Sequence, residues 1–443
     1  MAAAVGQVSE PGSGDFAIAH VGIFDFTGAF REKRLDAGAF VLALEKGWQF
    51  IDALPFWMYD ETCFAEKGFV DEAVRIDPDA VRRYVFEPAA LLAVAEYAGP
   101  SAAISPRATL ARVIDKARGL GLEALGGFEY ETIFLAEDGA SLRAKNWQGL
   151  DPALPHNRCW SGVAPAADAT FLTTVHHQLD ACHINLAHHC MELGPGCVEY
   201  CLGPDPLIKA SDDAALFKVF TKAIARRHGM TASFMAQLDQ GYPGLGGHLS
   251  ISLRDTSGKP LLNGDGGAES LSATARAFLG GVLALVPHWM CMFAPTVNAY
   301  RRLRPGNWAP RAANWGAGNY SCAVRVVTSE PAATRFEFRL PGADAMPHMT
   351  AAMLLGAGLW GIETSADPGP PVTGDGRLEE AKPGEELPTS LEEAARRFAK
   401  SEAARAVFGT PFVDHYSAWC AAEAAAFHAH VSAFERARYL ETL

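Results

Sequence analysis

The sequence predicts an α+β fold, in which a strongly curved antiparallel sheet is surrounded by helices. One observation is a strict alternation of charged and apolar residues: 128–133 reads Phe-Glu-Tyr-Glu-Thr-Ile, and 335–340 reads Arg-Phe-Glu-Phe-Arg-Leu. Alternate residues of a strand share a face, so these segments each have a charged face and an apolar face. The other observation is a C-terminal segment rich in Ala, Glu and Arg, which favours helix.

The N-terminal part is predicted to be a short disordered segment followed by a small β-rich domain. Residues 1–14 are small and polar and contain Gly and Pro, which is typical of a disordered terminus. Residues 15–104 hold short apolar runs that are broken by turn-forming residues. We place a domain boundary at Ser105-Pro106, because Ser caps helices and Pro suits the first helical turn.

The large domain, residues 105–443, is predicted to begin with a helix that ends at Gly119. A second helix is expected to start after Ser211 and to end at Gly229, because apolar residues then recur at helical spacing. Residues 363–388 are rich in Pro, Gly and acidic side chains, which predicts a surface loop.

Composition and charge exclude several classes of protein. The formal net charge is −13, which makes the chain a poor candidate for binding nucleic acid. Residues 1–14 lack the basic start and apolar run of a secretory signal. Pro287 and His288 interrupt the apolar run 277–297, so we interpret it as a buried core helix and not a membrane span. We therefore expect a cytoplasmic protein with no membrane or nucleic-acid partner.

The nine cysteines form no regular framework, which favours free thiols in a reducing compartment. One segment raises the alternative of a structural zinc site. No Cys-x-x-Cys pair occurs in it, and closed zinc sites favour such tight pairs, so we disfavour this alternative. The residues concerned are His183, His188, His189, Cys190, Cys197 and Cys201.

The charged strand faces indicate a binding site for cations and a phosphate. Glu129 and Glu131 lie on one face of their strand, and Glu337 lies between Arg335 and Arg339 on another. Burying uncompensated carboxylates would be very costly, so we expect the charged faces to meet around cations and a phosphate. Taken singly, each motif has a simpler interpretation: a Glu-x-Glu pair is often a solvated strand face, and Arg335 and Arg339 could flank Glu337 in a surface ladder.

Six motifs follow one another along nearly the whole chain. They are Asp25-x-x-Gly28-x-x-Arg31-x-Lys33, Gly-Phe-Glu-Tyr-Glu (127–131), His-Cys-Met-Glu-Leu-Gly-Pro-Gly-Cys-Val-Glu (189–199), Gly-Leu-Gly-Gly-His (244–248), Asn-Ala-Tyr-Arg-Arg-Leu (298–303) with Pro305-Gly306, and Arg-Phe-Glu-Phe-Arg-Leu-Pro (335–341). Any one motif is weak, but six in this order are specific. The order resembles the glutamine synthetase superfamily.

The resemblance implies a fold, a cofactor set and an assembly. It implies a β-grasp-like N-terminal domain, a catalytic domain built on a half-barrel sheet, and subunits arranged in rings, with two stacked hexamers as the expected form. It also implies ATP and two or three divalent cations. Five carboxylates and one imidazole suit Mg²⁺ or Mn²⁺ better than zinc. By the resemblance, the metal ligands are Glu131, Glu192 and Glu199 at a first site, and Glu129, His248 and Glu337 at a second.

The resemblance also implies substrate-binding residues and a reaction. In the family, ATP phosphorylates a side-chain carboxylate, and an amine then displaces the phosphate; the protein mainly positions groups and neutralises charge. Arg302 and Arg339 match the residues that hold the acid, and Gly244 lies where the backbone approaches it. Ser252, Arg325 and Arg335 match residues on the nucleotide side. By this correspondence the catalytic arginines are Arg302, Arg325 and Arg339.

Two departures from the family pattern concern the amine. The family's ammonia-handling glutamate is replaced by Trp308, and an indole cannot accept a proton from ammonium as a carboxylate does. An indole can instead form the wall of a pocket for a larger amine. The Asp-Gly-Ser-Ser motif that carries a second anionic group is absent, and Asp52 is only a weak substitute. Both changes point away from ammonia.

Two further departures concern the phosphoryl group and the acid. Tyr320 replaces the arginine of the family's Asn-Arg pair, and losing a cation there could slow phosphoryl transfer unless Arg304 or Arg311 compensates. Pro243 replaces an asparagine that contacts the amino-acid substrate, which makes glutamate a less secure choice of acid.

We therefore expect an ATP-dependent ligase that joins the γ-carboxylate of glutamate to an amine larger than ammonia, in an amine pocket shaped by Trp308 and Tyr320. One alternative is a catalytically impaired relative with a binding or regulatory role, which Tyr320 motivates. Another is a ligase that uses a different acid, which Pro243 motivates. In each case the expected partners are small molecules and other copies of the chain.

Overall fold

The computed structural model describes residues 16–154, 158–264, 270–328, 330–379, 381 and 386–443. The disorder expected for residues 1–14 lies outside the described part of the chain. Two β-sheets and a set of largely C-terminal helices make up the fold, so the α+β prediction is confirmed.

The first sheet is formed by the N-terminal strands in the order β2-β1-β5-β4-β3, and its pairs are antiparallel except β1–β5. The alternate residues Ala19, Val21 and Ile23 of β1 are fully buried and lie in one core cluster with Phe40 of the helix that follows β2. The strands are β1 (Ile18–Phe24), β2 (Phe30–Asp36), β3 (Trp48–Ile51), β4 (Asp71–Arg83) and β5 (Ala90–Tyr97).

The second sheet carries the motifs that the sequence singled out. Its main path runs β12-β13-β14-β11-β6-β8-β7, with β9 and β10 also pairing β6, and it is antiparallel except for the β12–β13 pair. The strands are β6 (Leu122–Leu135), β7 (Leu186–Met191), β8 (Cys197–Leu202), β9 (Asp205–Pro206), β10 (Thr231–Ser233), β11 (Gly247–Asp255), β12 (Trp315–Ala317), β13 (Val324–Val327) and β14 (Arg335–Phe338).

The α-helices pack against both sheets. In chain order they are α1 (Ala37–Lys46), α2 (Pro106–Gly119), α3 (Gly139–Ala144), α4 (Val163–Ala167), α5 (Ala169–Ala181), α6 (Leu207–Arg227), α7 (Ala273–Trp289), α8 (Ala299–Arg302), α9 (Pro347–Thr364), α10 (Leu391–Ala399), α11 (Glu402–Phe408), α12 (Thr410–His428) and α13 (Ala433–Tyr439).

The predicted start of α6 was wrong by one turn. Ser211 resembles a helix cap in sequence, but the helix begins at Leu207 and the Ser211 hydroxyl donates to the carbonyl oxygen of Leu207 at 2.8 Å. Asp212 and Asp213, which resemble acidic residues of a first turn, are instead buried partners of arginines. A serine inside a helix can bond back to the preceding turn, which removes its value as a boundary signal.

The apolar run that begins near residue 277 forms helix α7. The segment Ala273–Met292 is the one described helix that is long and apolar enough to cross a membrane, and 72% of its apolar window is buried inside the protein. This burial fits the expected core helix.

Buried ion pairs connect the N-terminal sheet to the helices behind the second sheet. Arg107, at the start of α2, donates to Asp77 of β4 at 2.6 Å and to Asp212 of α6 at 2.9 Å. The imidazole of His348 in α9 lies 2.8 Å from the same Asp212. These contacts fix α6 and α9 relative to the first sheet.

Candidate active site

Strand pairing places the charged faces beside one another. Glu129 of β6 pairs with His248 of β11 on one side of the strand. Glu131 of β6 pairs with Glu199 of β8 on the other side. Arg325 of β13 is in register with Glu337 of β14. Side chains of paired residues point to the same face of a sheet, so these strands present one continuous polar surface.

Three predicted ligands of one metal site form a compact group. The Nδ1 atom of His248 lies 2.9 Å from Oε1 of Glu129 and 3.9 Å from Oε1 of Glu337. Ligand atoms of these three residues all lie within 4.8 Å of one another. His248 and Glu337 are only 5% and 4% exposed, whereas the Glu129 side chain is 29% exposed, so two of the three ligands are shielded from bulk water and the third reaches it.

Glu131 lies next to this group because of a glycine. The amide of Gly246 donates to Oε2 of Glu131 at 2.7 Å, and the Glu131 amide donates to the Gly246 carbonyl oxygen at 3.0 Å. A Cβ atom at Gly246 would lie 2.6 Å from Nε2 of His248 and 3.3 Å from Oε1 of Glu131. The missing side chain therefore leaves room between the imidazole and the carboxylate.

Glu192 and Glu199 complete the carboxylate cluster. Glu199 is on β8, directly across from Glu131, and Glu192 follows β7 with its carboxylate accepting from the Cys159 thiol at 3.1 Å. Burial, and then repulsion by other carboxylates of the cluster, raises the pKa of Glu199 to about 9. Burial also raises the pKa of Glu131, with the charge of Glu192 contributing.

The electrostatics of the cluster favour a bound cation. Burial opposes ionisation of Glu129, but the hydrogen bond and charge of His248, together with Cys201 and Arg339, hold the pKa of Glu129 well below its usual range. Carboxylates this close repel one another unless positive charge lies between them. A set of carboxylate oxygens with one imidazole fits Mg²⁺ or Mn²⁺.

Arg302 lies beside the cluster and is held by backbone carbonyl groups. It is 3% exposed, and its guanidinium donates to the Leu340 carbonyl oxygen at 2.9 Å and to the Arg339 carbonyl oxygen at 3.3 Å. Burial, offset in part by the charge of Glu131, lowers the pKa of Arg302 to about 10. A Cβ atom at Gly244 would lie 2.5 Å from Cγ of Arg302, so this glycine allows the backbone to pack against the arginine.

Arg325, Arg339 and Tyr320 surround Glu337. Arg325 donates to Oε2 of Glu337 at 2.6 Å, and Arg339 donates to its Oε1 atom. The Tyr320 ring lies under both arginines, 3.8 Å from the Arg325 guanidinium and 5.3 Å from that of Arg339. Its backbone carbonyl oxygen also accepts from Nε of Arg339 at 3.0 Å. Tyr320 therefore stacks with two cations at the position where the sequence suggested a lost one.

The compensating arginines suggested by the sequence have other partners. Arg304 donates to the carbonyl oxygen of Arg301 at 2.8 Å, and Arg311 donates to the carbonyl oxygen of Arg377 at 2.6 Å. Tyr320 itself contacts Arg325 and Arg339, as described above.

Ser252 and Arg335 lie further along the same strands. Ser252 is four residues beyond His248 on β11, which corresponds to about 13 Å along a strand. Arg335 is two residues before Glu337 on β14, and its guanidinium donates to the Ala333 carbonyl oxygen at 3.4 Å. Strand alternation puts both on the face of the carboxylate cluster.

Trp308 lies beneath an arginine that the sequence analysis did not identify. The Arg377 guanidinium stacks on the indole ring at 3.7 Å, and Asp375 accepts two hydrogen bonds from the same arginine at 2.6 and 2.9 Å. Trp308 is still 56% exposed. The side chain of the preceding residue, Asn307, donates to the Arg302 backbone carbonyl oxygen at 2.8 Å, which holds this loop against the end of α8. The sequence could not predict this contact, because Arg377 is far from Trp308 in the chain and lies in the predicted surface loop.

Two other features bear on the sequence predictions. Asp52 is buried, and its carboxylate accepts from Lys67 at 2.8 Å and from the Val70 amide at 3.0 Å. Cys201 was considered only as part of a zinc cluster, yet its thiol donates to Glu129 at 3.3 Å. Its position two residues after Glu199 on β8 was the signal that could have identified it.

Comparison with known proteins identifies the family. A model of the glutamine synthetase catalytic domain matches residues 103–439. Glutamate–isopropylamine ligase of a Pseudomonas species is 31% identical over 440 residues, which is 96% of this chain and 95% of that protein. Gamma-glutamylethanolamide synthetase GlnA4 of Streptomyces coelicolor is 31% identical over 91% of this chain and 85% of its own length. A solved complex of GmaS with ADP superimposes with a TM-score of 0.84 at 26% identity, covering 96% of this chain and 97% of GmaS. The chain therefore belongs to the glutamine synthetase family and is a glutamine synthetase-like ligase.

Proposed function

We propose that this ligase uses ATP to join the γ-carboxylate of glutamate to an amine larger than ammonia, releasing ADP and phosphate. Two observations carry the proposal: Glu129, His248 and Glu337 form one compact group, and Trp308 matches, by the sequence resemblance, the family's ammonia-handling glutamate. The names of two relatives, an isopropylamine ligase and an ethanolamide synthetase, support the choice of amine substrates.

The cations would be held by two sets of side chains that share the polar face. When bound, they would neutralise ATP phosphates and polarise the carboxylate of the acid. The pKa of Glu199, raised by burial and by neighbouring carboxylates, supports this role, because added positive charge relieves that repulsion. The first set is Glu131, Glu192 and Glu199, and the second is Glu129, His248 and Glu337.

The acid would bind against Arg302, Arg339 and the backbone at Gly244. Arg302 remains cationic at neutral pH, because its lowered pKa is still about 10. Its backbone hydrogen bonds to Leu340 and Arg339 hold the guanidinium in place before the acid arrives. A fixed, poorly solvated cation attracts a carboxylate without reorganising during the reaction.

The nucleotide would bind towards Ser252, Arg325 and Arg335, on the same face as the carboxylates. An oxygen of the γ-carboxylate would attack the terminal phosphorus of ATP, and the bond to ADP would break. The amine nitrogen would then attack the γ-carbonyl carbon of the resulting γ-glutamyl phosphate, the bond from that carbon to the phosphate oxygen would break, and phosphate and a proton would be released. Arg325 and Arg339, stacked on Tyr320, supply positive charge close to Glu337 during these steps.

The amine would be accommodated near Trp308 and Tyr320. An indole offers an apolar surface and no base, so it favours an amine with its own apolar part. Asp52 would not replace the missing anionic groups, because Lys67 already neutralises its carboxylate at 2.8 Å. Both observations support an amine larger than ammonia.

Two alternatives remain distinct proposals. A non-catalytic regulatory role is motivated by Tyr320, but the two arginines stacked on that ring keep positive charge at the site and favour catalysis. A different acid is motivated by Pro243.

We also propose that the subunits form rings, with a dodecamer of two hexamers as the expected form, which light scattering would test.

Phosphate release tests the proposed function. The full chain is incubated with ATP, Mg²⁺ or Mn²⁺, glutamate and one amine from a panel: ammonia, methylamine, ethanolamine, polyamines and aromatic amines. We expect phosphate and a γ-glutamyl amide of matching mass with one class of larger amine. Glu129→Gln should abolish turnover, whereas the same change at the exposed Glu123 of the same strand should not. Glutamine formation that rivals every amine would contradict the choice of amine, and no turnover with any amine would favour a different acid.

A further inference from the structure

Two thiols lie among the carboxylates of the cluster. The Cys201 thiol is 3.3 Å from Oε2 of Glu129 and 3.8 Å from Oε1 of Glu199. The Cys190 thiol is 3.6 Å from that same oxygen of Glu199. Strand pairing explains the arrangement, because Cys190 of β7 is in register with Glu199 of β8, and Cys201 follows Glu199 by two residues.

These separations match the coordination of a thiophilic cation. Zinc binds sulfur at about 2.3 Å and carboxylate oxygen at about 2.1 Å, so tetrahedral geometry places the two donor atoms about 3.6 Å apart. The two sulfur–oxygen separations of Cys201 are 3.3 Å to Glu129 and 3.8 Å to Glu199. The ligand atoms of Glu129, Glu199 and Cys201 also lie within 4.8 Å of one another.

The geometry points to a second mode of metal binding, in which Cys201 joins Glu129 and Glu199 to hold a Zn²⁺ ion. Thiolate ligands select zinc over Mg²⁺, which prefers oxygen. Because this site shares Glu129 and Glu199 with the proposed catalytic cations, zinc would displace them and inhibit the ligase reversibly. The zinc mode itself rests on the geometry of these three side chains, and only its inhibitory consequence rests on the proposed function.

A third thiol provides a matched comparison. Cys159 contacts Glu192, at 3.3 and 3.1 Å from its two carboxylate oxygens, and so lies beside a different carboxylate. Cys63 is exposed in the N-terminal part of the chain. Replacing Cys159 or Cys63 with Ser should therefore leave the zinc mode in place.

Cobalt substitution tests the proposal without measuring activity. The full chain, reduced and free of oxygen, is titrated with Co²⁺, which gives a near-ultraviolet charge-transfer band when a thiolate coordinates it. We expect this band in the wild type, its loss in Cys201→Ser, and no change in Cys159→Ser or Cys63→Ser. Zn²⁺ should abolish the band by competition.

Metal-binding constants distinguish the loss of the zinc site from misfolding of the variant. Cys201→Ser should weaken Zn²⁺ binding by about tenfold or more, while its Mn²⁺ affinity stays within about threefold of the wild type. A wild type without the band, or a band that survives Cys201→Ser, would overturn the proposal. Amide formation with Mg²⁺ is measured separately, so failure of the proposed ligase activity would leave the cobalt result interpretable.

Discussion

A single methyl group at Gly246 should disable the metal site. In Gly246→Ala the new Cβ atom would lie 2.6 Å from Nε2 of His248, whereas ordinary contact begins at 3.4 Å. The imidazole must therefore retreat by about 0.8 Å, the difference between these two distances. It cannot do so freely, because it is buried and its Nδ1 atom is held by Glu129 at 2.9 Å.

The expected effects follow from this displacement. Overpacking of this kind lowers the free energy of unfolding by about 1–3 kcal/mol. Displacing a metal ligand should weaken Mn²⁺ binding by about 10–100-fold, by analogy with the loss of groups that orient ligands. A misplacement of about 1 Å at a reacting centre can reduce kcat/KM by about a hundredfold.

Titration calorimetry with Mn²⁺, alongside phosphate release, measures both effects. Gly119→Ala is the matched control, because a Cβ atom at this helical position meets no atom within 4 Å. If Gly246→Ala folds and both its Mn²⁺ affinity and its turnover stay within about twofold of the wild type, the spacing between His248 and Glu131 is not what the site requires.

Three further predictions concern the amine, the arginines and stability. Trp308→Glu should raise the kcat/KM for ammonia relative to that for the preferred amine by at least about tenfold, which competition assays would measure. Trp147→Glu changes another exposed indole and should leave this ratio unchanged. Tyr320→Ala should reduce kcat/KM about two- to fivefold by removing the stack under two arginines, and Tyr320→Phe should not; equal losses would rule out stacking. Asp212→Asn leaves the buried Arg107 with one fewer anionic partner and should lower the free energy of unfolding by about 3–5 kcal/mol in urea titrations at neutral pH. Burial opposes ionisation of Asp212, but Arg107 and His348 hold its pKa below the usual range. The difference in free energy of unfolding between the wild type and Asp212→Asn should therefore be complete above about pH 4 and shrink as the pH falls. A difference that does not depend on pH would contradict the charge argument.

Local patterns were sufficient to predict the strands of the site. Alternation placed Glu129 and Glu131 on one face, and the motif order indicated that His248 and Glu337 would join them. Both predictions depend on residues close in sequence or on a known order of strands. The helix start at Ser211 failed because a serine hydroxyl bonds equally well to a backbone carbonyl within a helix.

Contacts between distant segments could not be predicted in this way. Arg377 covers Trp308 although the two are far apart in sequence, and only the folded loop brings them together. The same holds for Tyr320, which contacts Arg325 of β13 and Arg339, the residue after β14. Such contacts depend on tertiary packing, which residue spacing does not encode.

Oxygen transfer from the acid to phosphate tests the central claim most directly. Glutamate labelled with heavy oxygen in its γ-carboxylate is incubated with ATP, Mg²⁺ and the preferred amine, and the released phosphate is analysed by mass. The proposed γ-glutamyl phosphate requires that one labelled oxygen leaves with each phosphate, and that the amide product retains the other. Released phosphate without label would show that ATP is cleaved without activating the acid, and would contradict the proposed reaction at this site.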